Sequence, residues 1–347
     1  MASYNEPAGR FIIACGVAFV ILALLAGCVD QEERSVVVYT SVDQVYAEPV
    51  LDAFEEETGI QVRAVYDVEA AKTTGLVNRL IAEKGNPLAD VFWNGEFMQT
   101  ILLKEEGVLA SYDSPNAARI PEQYRDPEGC WTGVGGRARV LLVNTDRVLP
   151  GEYPSSVFDL VSDRYAASDV GIAYPMFGTS ATHAAALYAV LGEEEGRAFF
   201  EALHDRGVRV VDGNSVVRDL VANGQLKVGL TDTDDACRAY EDGAPVALIL
   251  PDQEEGGIGT LVIPNTVALI SGAPHPDEGK RLVDYLLSEE TEQKFLAIGW
   301  IQVSVRDGGE SLSCIGMEGV RGMNTSATAV HAELQQAKQD LTGIFIR

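Results

Sequence analysis

Positive charge is scarce in this chain. Its 347 residues include 26 Lys and Arg against 52 Asp and Glu, a formal net charge of −26. Nucleic acid and anionic lipid surfaces would repel such a chain, because both are bound through basic footprints. Histidine is rarer still: His183, His204, His275 and His331 share no motif. The five cysteines show no CxxC or Cys/His spacing, which speaks against a structural zinc site. Gly-x-Ser-x-Gly, a Walker loop and His-Glu-x-x-His are absent, and with them the common hydrolase, nucleotide and metalloprotease signatures. There are no internal repeats and no low-complexity tracts. What is there is the composition of a folded protein, 46% hydrophobic and 22% charged, long enough for one large or two medium domains. With acid in such excess, a cation is the simplest charged partner.

Long hydrophobic runs are missing too, with one exception. Residues 11–27 are 17 uncharged, mostly apolar positions behind Arg10, and Cys28 follows them. Small residues before a processing point mark a secretory signal. The order Leu25, Ala26, Gly27, Cys28 resembles the lipobox of bacterial lipoproteins, which implies that Cys28 is lipidated and becomes the mature N-terminus. Seventeen residues is the short edge of a spanning helix, so an uncleaved anchor is the alternative. Both readings place the rest of the chain outside the cytoplasm. Residues 1–27 are therefore read as a signal peptide and 28–34 as a linker. Cys130, Cys237 and Cys314 then remain in an oxidising compartment, where one pair can bridge; the spacing does not choose it.

Beyond the linker, strand and helix patterns alternate. Apolar, largely β-branched runs at 35–39, 60–68, 90–93, 140–143, 170–173, 208–211 and 226–230 read as strands. Helical spacing marks 47–58, 70–84, 181–191, 197–204, 215–223, 277–298 and 327–341. A further apolar stretch, 259–271, is broken by Pro264. The alternation predicts an α/β fold of βαβ units, a parallel sheet covered on both faces, in two lobes.

In open parallel sheets, ligands gather beyond the carboxyl ends of strands. These exits carry Thr40, Ser41 and Asp43; Asp67 and Glu69; Asn94, Gly95 and Glu96; Asp212 and Asn214; and Thr231 through Asp232, Thr233, Asp234 and Asp235. Three carboxylates within residues 232–235 repel one another unless a cation or protons relieve them. A hard cation preferring oxygen ligands would do so. The same acids also suit the first turn of a helix, favoured by its dipole. Gly178, Thr179 and Ser180 precede an Ala-rich helix and form either an anion pocket or a plain cap; Asn214 with Ser215 allows the same two readings. Arg137 and Arg139 share one face of a predicted strand, where they can hold an anion or pair with carboxylates. Asp232 and Asp234 also match the paired acids of some hydrolases, a short pattern in so acidic a chain.

Taken in order, residues 37–41, 54–60, 76–83, 89–93, 136–144, 178–180, 224–235, 263–265, 273–276 and 286–288 resemble the bacterial extracellular solute-binding proteins of ABC transporters, in their ferric-iron class. The resemblance covers nearly the whole mature chain. It implies a two-lobed periplasmic-binding-protein fold, type II-like, with the ligand cleft between lobes: 35–133 plus 264–347 as lobe 1 and 134–263 as lobe 2. It further implies a monomeric, lipid-anchored periplasmic protein that carries a small ligand to a membrane permease, with no catalysis and no cofactor of its own. That family holds iron with a tyrosine pair, often with a His and a Glu from the first lobe, and an anion at a helix terminus. Here the tyrosine pair falls on Asp234 and Asp235, the His near Asp43, and the Glu on Gly95 with Asn94 and Glu96 beside it. The anion loop falls on Gly178, Thr179 and Ser180 with Asn214 and Asp232, and Arg137 is counted with it. The chain departs from the family at these ligands. The expected cargo is Fe³⁺ or another metal with a synergistic anion. The alternatives are an organic solute, such as an amine or phosphonate, bound without metal, and an extracytoplasmic hydrolase using Asp232 and Asp234.

Overall fold

In chain order the elements are β1 (Ser35–Thr40), α1 (Gln44–Thr58), β2 (Gln61–Tyr66), α2 (Thr74–Glu83), β3 (Val91–Asn94), α3 (Met98–Glu105), β4 (Leu109–Ala110), β5 (Thr132–Asn144), β6 (Val170–Ala173), α4 (Gly178–Leu191), α5 (Glu193–Arg206), β7 (Arg209–Val211), α6 (Asn214–Ala222), β8 (Val228–Asp232), α7 (Thr233–Glu241), β9 (Val246–Ile249), β10 (Val262–Ile270), α8 (Pro276–Leu286), α9 (Glu289–Ala297) and α10 (Ala327–Phe345). The computed structural model describes residues 34–67, 74–309, 314 and 320–346. The signal segment, Cys28 and the rest of the linker up to residue 33 lie outside the described residues, as does Glu69. Among the described residues no helix is long and apolar enough to cross a membrane.

The strands order as β2-β1-β3-β10-β5-β8-β6-β7, with β4 on β10 and β9 on β5. Each half has a parallel trio, β2-β1-β3 and β8-β6-β7, as the alternation predicts. Between the trios run two antiparallel strands, β10 and β5. The first part of β5 pairs with β10 and its second part with β8 and β9, so one strand serves both halves. This antiparallel centre departs from the all-parallel expectation. Only 140–143 of β5 carries a plain apolar run; Gly133, Gly135, Gly136, Arg137 and Arg139 disguise the rest.

Side chains alternate across a strand, so each face gathers its own core. Tyr39, Phe92, Leu141 and Val143 belong to one. Val36, Val38, Val140 and Leu142 belong to the other. Both cores include residues from the two halves. In β10 the alternation changes phase: Val262 and Ile263 lie on opposite faces, as do Val267 and Ala268, with parity reversed. The cause is a register shift at Pro264/Asn265, which leaves Gly135 of β5 (φ +51°) as the extra residue of a bulge.

Three further departures matter. The predicted helix 277–298 is two helices, because Ser288 accepts from the Thr291 amide and caps the start of α9. Helix α10, grouped with the first lobe by chain order, packs on α4 and α5 of the second half. Tyr188 Oη donates to Asp340, and Arg197 pairs with the same carboxylate. Finally, Cys237 of α7 is joined to Cys314 across 77 residues of chain, leaving Cys130 as a free thiol among the described cysteines. Closing a loop of that size stabilises a fold by about 4 kcal/mol on the chain-entropy model. A disulfide also fits the oxidising compartment inferred from the N-terminus.

Candidate ligand-binding site

The carboxyl ends of β1 and β3 face the start of α7 across a cleft, with β5 and β10 as its floor. The cleft has a volume of about 360 Å³, within the range of small-molecule sites. Its wall on the first half carries Ser41, Asp43, Tyr46, Gly95 and Glu96; Asp234 faces them from the second half. Arg137, Gly136 and Asn265 lie on the crossing strands, and Gly299, Trp300 and Gln302 close one end.

The first wall is built by local capping chemistry. Asp43 occupies the N-cap position of α1, and its carboxylate makes no side-chain cap bond. Tyr46 follows within the first turn. Ser41 Oγ donates to Asn94 Oδ1 (2.5 Å) and accepts from the Gly95 amide (3.0 Å). Asn94 is fully buried, and its amide donates to the Glu96 carbonyl (2.7 Å) and Thr100 Oγ1 (3.1 Å). It therefore shapes the wall from behind and does not line the cleft. Glu96 reaches the cleft, yet its carboxylate also accepts from the Met98 (2.6 Å) and Gln99 (3.0 Å) amides at the start of α3. Such a cap is worth about 1 kcal/mol. Burial pushes the Glu96 carboxyl above the ordinary range, opposed by those amides and Arg137.

Arg137 joins the two halves. Its Nη2 donates to the Gly95 carbonyl (2.5 Å), and its Nη1 meets Asp234 Oδ2 at 3.4 Å. Counted among the anion-binding residues, Arg137 sits instead among the carboxylates of the cleft. Asp234, in the first turn of α7, loses hydration in the cleft; that and nearby Asp232 push its carboxyl up, with Arg137 opposing. Asp235 departs from its expected role. It turns from the cleft to Arg218 of α6 (2.9 Å), and burial with the Asp234 charge pushes its carboxyl up to about 6, against Arg218. Asp234 lines the cleft and Asp235 does not, its carboxylate being held by Arg218 on the neighbouring helix.

The expected anion group forms a cluster of its own around the buried pair Arg139 and Asp232. Asp232 ends β8 opposite Arg139 of β5. Their ion pair is 2.5 Å long, with the two side chains 1% and 5% exposed. Thr179 Oγ1 (2.5 Å) and Asn214 Nδ2 (2.9 Å) donate to the other Asp232 oxygen. Ser180 Oγ contacts Asn214 (3.4 Å), and Gly178 opens α4 at φ +53°. Asp232 is an anion itself, so it completes this group and does not bind an anion within it. Held this way, it is also poorly placed as a hydrolytic nucleophile beside Asp234. Among the described residues, no group of three or more His, Cys, Asp or Glu gathers in a metal-holding arrangement. This departs from the expectation that Asp43, Glu96, Asp234 and Asp235 form one metal shell.

Several cleft residues carry no local sequence signal. Trp300, Gln302 and Gly299 follow α9 and reach the cleft only because residues 302 and 303 hydrogen-bond back to Gly136. Tyr46 is marked only by its place one turn beyond a strand exit. Trp300 stacks edge-on against Trp93 (5.1 Å between centroids) and Phe295 (4.6 Å), which fixes its ring.

The family model for bacterial extracellular solute-binding proteins matches residues 86–300. Iron uptake protein A1 of Synechocystis is 26% identical over 311 residues, covering 83% of this chain and 84% of its own. A putative 2-aminoethylphosphonate-binding periplasmic protein of Salmonella typhimurium is 25% identical over 294 residues, covering 82% and 83%. Among solved structures, a Trichodesmium protein in complex with iron and citrate superposes with a TM-score of 0.80 at 22% identity, covering 90% of this chain and all of that one. It has the same two-lobed fold.

Proposed function

Because the chain belongs to the bacterial extracellular solute-binding proteins, we propose that it captures a small organic cation, a solute bearing an ammonium group, between its lobes and delivers it to an ABC permease. The observation that carries the ligand class is the charge and lining of the cleft. Three carboxylates, Asp43, Glu96 and Asp234, surround it with the rings of Tyr46 and Trp300, and among its lining residues Arg137 is the one cation. Carboxylates and aromatic faces together recognise organic ammonium groups. The relatives do not choose: some are named for iron and others for an aminophosphonate, at similar identity. The lobes carry contacts from both sides, so a ligand that touches both favours the closed form. No step of this cycle requires covalent chemistry. Cys28, as a lipidated N-terminus, would tether the protein at the outer face of the membrane, where it works as a monomer.

Iron(III) with a synergistic anion is the second reading, supported by the relatives named for iron. Thermal melts separate the two, with ethanolamine and related amines in one series and Fe³⁺-citrate, Mn²⁺ and Ca²⁺ in the other. The expected result is a shift with amines and none with metals. In Asp234→Asn the amine affinity should fall by about tenfold or more, the equivalent of ~1.4 kcal/mol; Asp235→Asn should change it little. A shift with Fe³⁺-citrate and none with any amine would replace the first reading by the second.

A further inference from the structure

Beside the cleft lies a second polar centre that the solute reading does not use. Arg139 is almost fully buried, 1% exposed, and Thr179, Ser180 and Asn214 surround it at the starts of α4 and α6. A guanidinium, two hydroxyls, an amide and the N-terminal turns of two helices are the chemistry of a phosphate cradle. Arg139 Nε is buried without a hydrogen-bond partner, and so is Nε2 of His183. His183 is held neutral by burial and by the Arg139 charge. Arg139 therefore supplies the positive charge at this centre.

We propose that Asp232 is a built-in counter-anion: its carboxylate fills this cradle and excludes solutes recognised through a phosphate or phosphonate group. The proposal rests on reading the adjoining cleft as a solute site and narrows the class of solute. Asp232 takes one hydrogen bond from Arg139 and two from Thr179 and Asn214, so the strongest donors around Arg139 are spent on an intramolecular acceptor. Arg139 and Asp232 together carry no net charge. An incoming dianion would find these donors occupied and a carboxylate within contact distance, in a setting where water screens poorly. The chain therefore selects an ammonium solute lacking a phosphoryl group, in contrast to the aminophosphonate that the Salmonella relative is named for.

Titration of the wild type and Asp232→Ser with inorganic phosphate tests this, by calorimetry and thermal shift. The wild type should not respond. Asp232→Ser vacates the carboxylate and should gain phosphate binding by about tenfold or more in apparent affinity, from the freed arginine and hydroxyl donors. The gain should vanish in the Asp232→Ser/Arg139→Met double variant. Removing the carboxylate leaves Arg139 buried without its partner. If Asp232→Ser folds in phosphate but not in chloride, that supports the proposal too. If it folds in neither, Asp232→Asn, which keeps the shape, takes its place with the same expectation. A folded variant blind to phosphate, or a wild type that binds phosphate as tightly, would overturn the proposal. Ethanolamine titrations of the same proteins read the cleft separately, since a failure there appears with Asp234→Asn and leaves the phosphate result standing.

Discussion

Asp234 and Asp235 are neighbours in sequence and opposites in role. One faces the cleft, the other packs against Arg218, and their electrostatics differ accordingly. Asp235 has its carboxyl raised from 3.8 to about 6, chiefly by burial. A carboxyl with a raised folded pKa holds its proton more tightly in the folded state than in the unfolded one. Its contribution therefore favours folding at low pH and is lost as pH climbs through the window from about 4 to about 6. Asp235→Asn should remove that slope from the pH dependence of stability. At neutral pH it should change stability by no more than about 1 kcal/mol, because the pair it loses with Arg218 is partly exposed. Urea melts between acid and neutral pH check this; an unchanged slope would mean that the Asp235 carboxyl does not titrate differently on folding.

At the scale of elements, the crossing of β5 and β10 sets the geometry of the cleft. Gly136 lies in its floor, pairs with Val303 and lets the Ile263 carbonyl approach so closely that an added Cβ would sit 2.7 Å from it. The obstacle is backbone, so relief requires the two strands to separate. Gly136→Ala is expected to cost about 2–4 kcal/mol and to weaken solute binding as well, because Arg137 would shift with its strand. A thermal midpoint within a degree or so of wild type would show that the crossing is looser than this. The same crossing explains what was hidden in the sequence. A strand of 13 residues containing three glycines and two arginines has neither the alternation nor the β-branched content by which strands are recognised. Most other elements, with regular apolar periods bounded by glycine or by a capping serine, were legible to within a few residues; α3, the short strands β4 and β9, and the division between α8 and α9 were not.

For the molecule as a whole, a net charge of −26 means strong self-repulsion at low ionic strength. Screening shortens the range of that repulsion from about 30 Å at 0.01 M salt to about 8 Å at 0.15 M. The thermal midpoint should therefore rise over that interval, while the association rate of a cationic solute falls as the attracting field is screened. Stopped-flow binding and melts over one salt series read both; a salt-independent rate would show that the overall charge plays no part in capture. By itself the sequence determined the fold class, the excess of acid and the strand exits around which a site forms, because periodicity, composition and turn chemistry are local properties. It also brought Asp43, Glu96 and Asp234 forward as candidates. Tertiary structure alone decided that Cys237 pairs with Cys314, that Arg137 stands among the carboxylates, that Asp235 leaves the cleft and that Trp300 enters it. Only it revealed that Asp232 answers Arg139 across two strands 93 residues apart in the chain. The direction of a side chain and the identity of its distant partner depend on strand register and helix phase, and no local stretch of sequence encodes these.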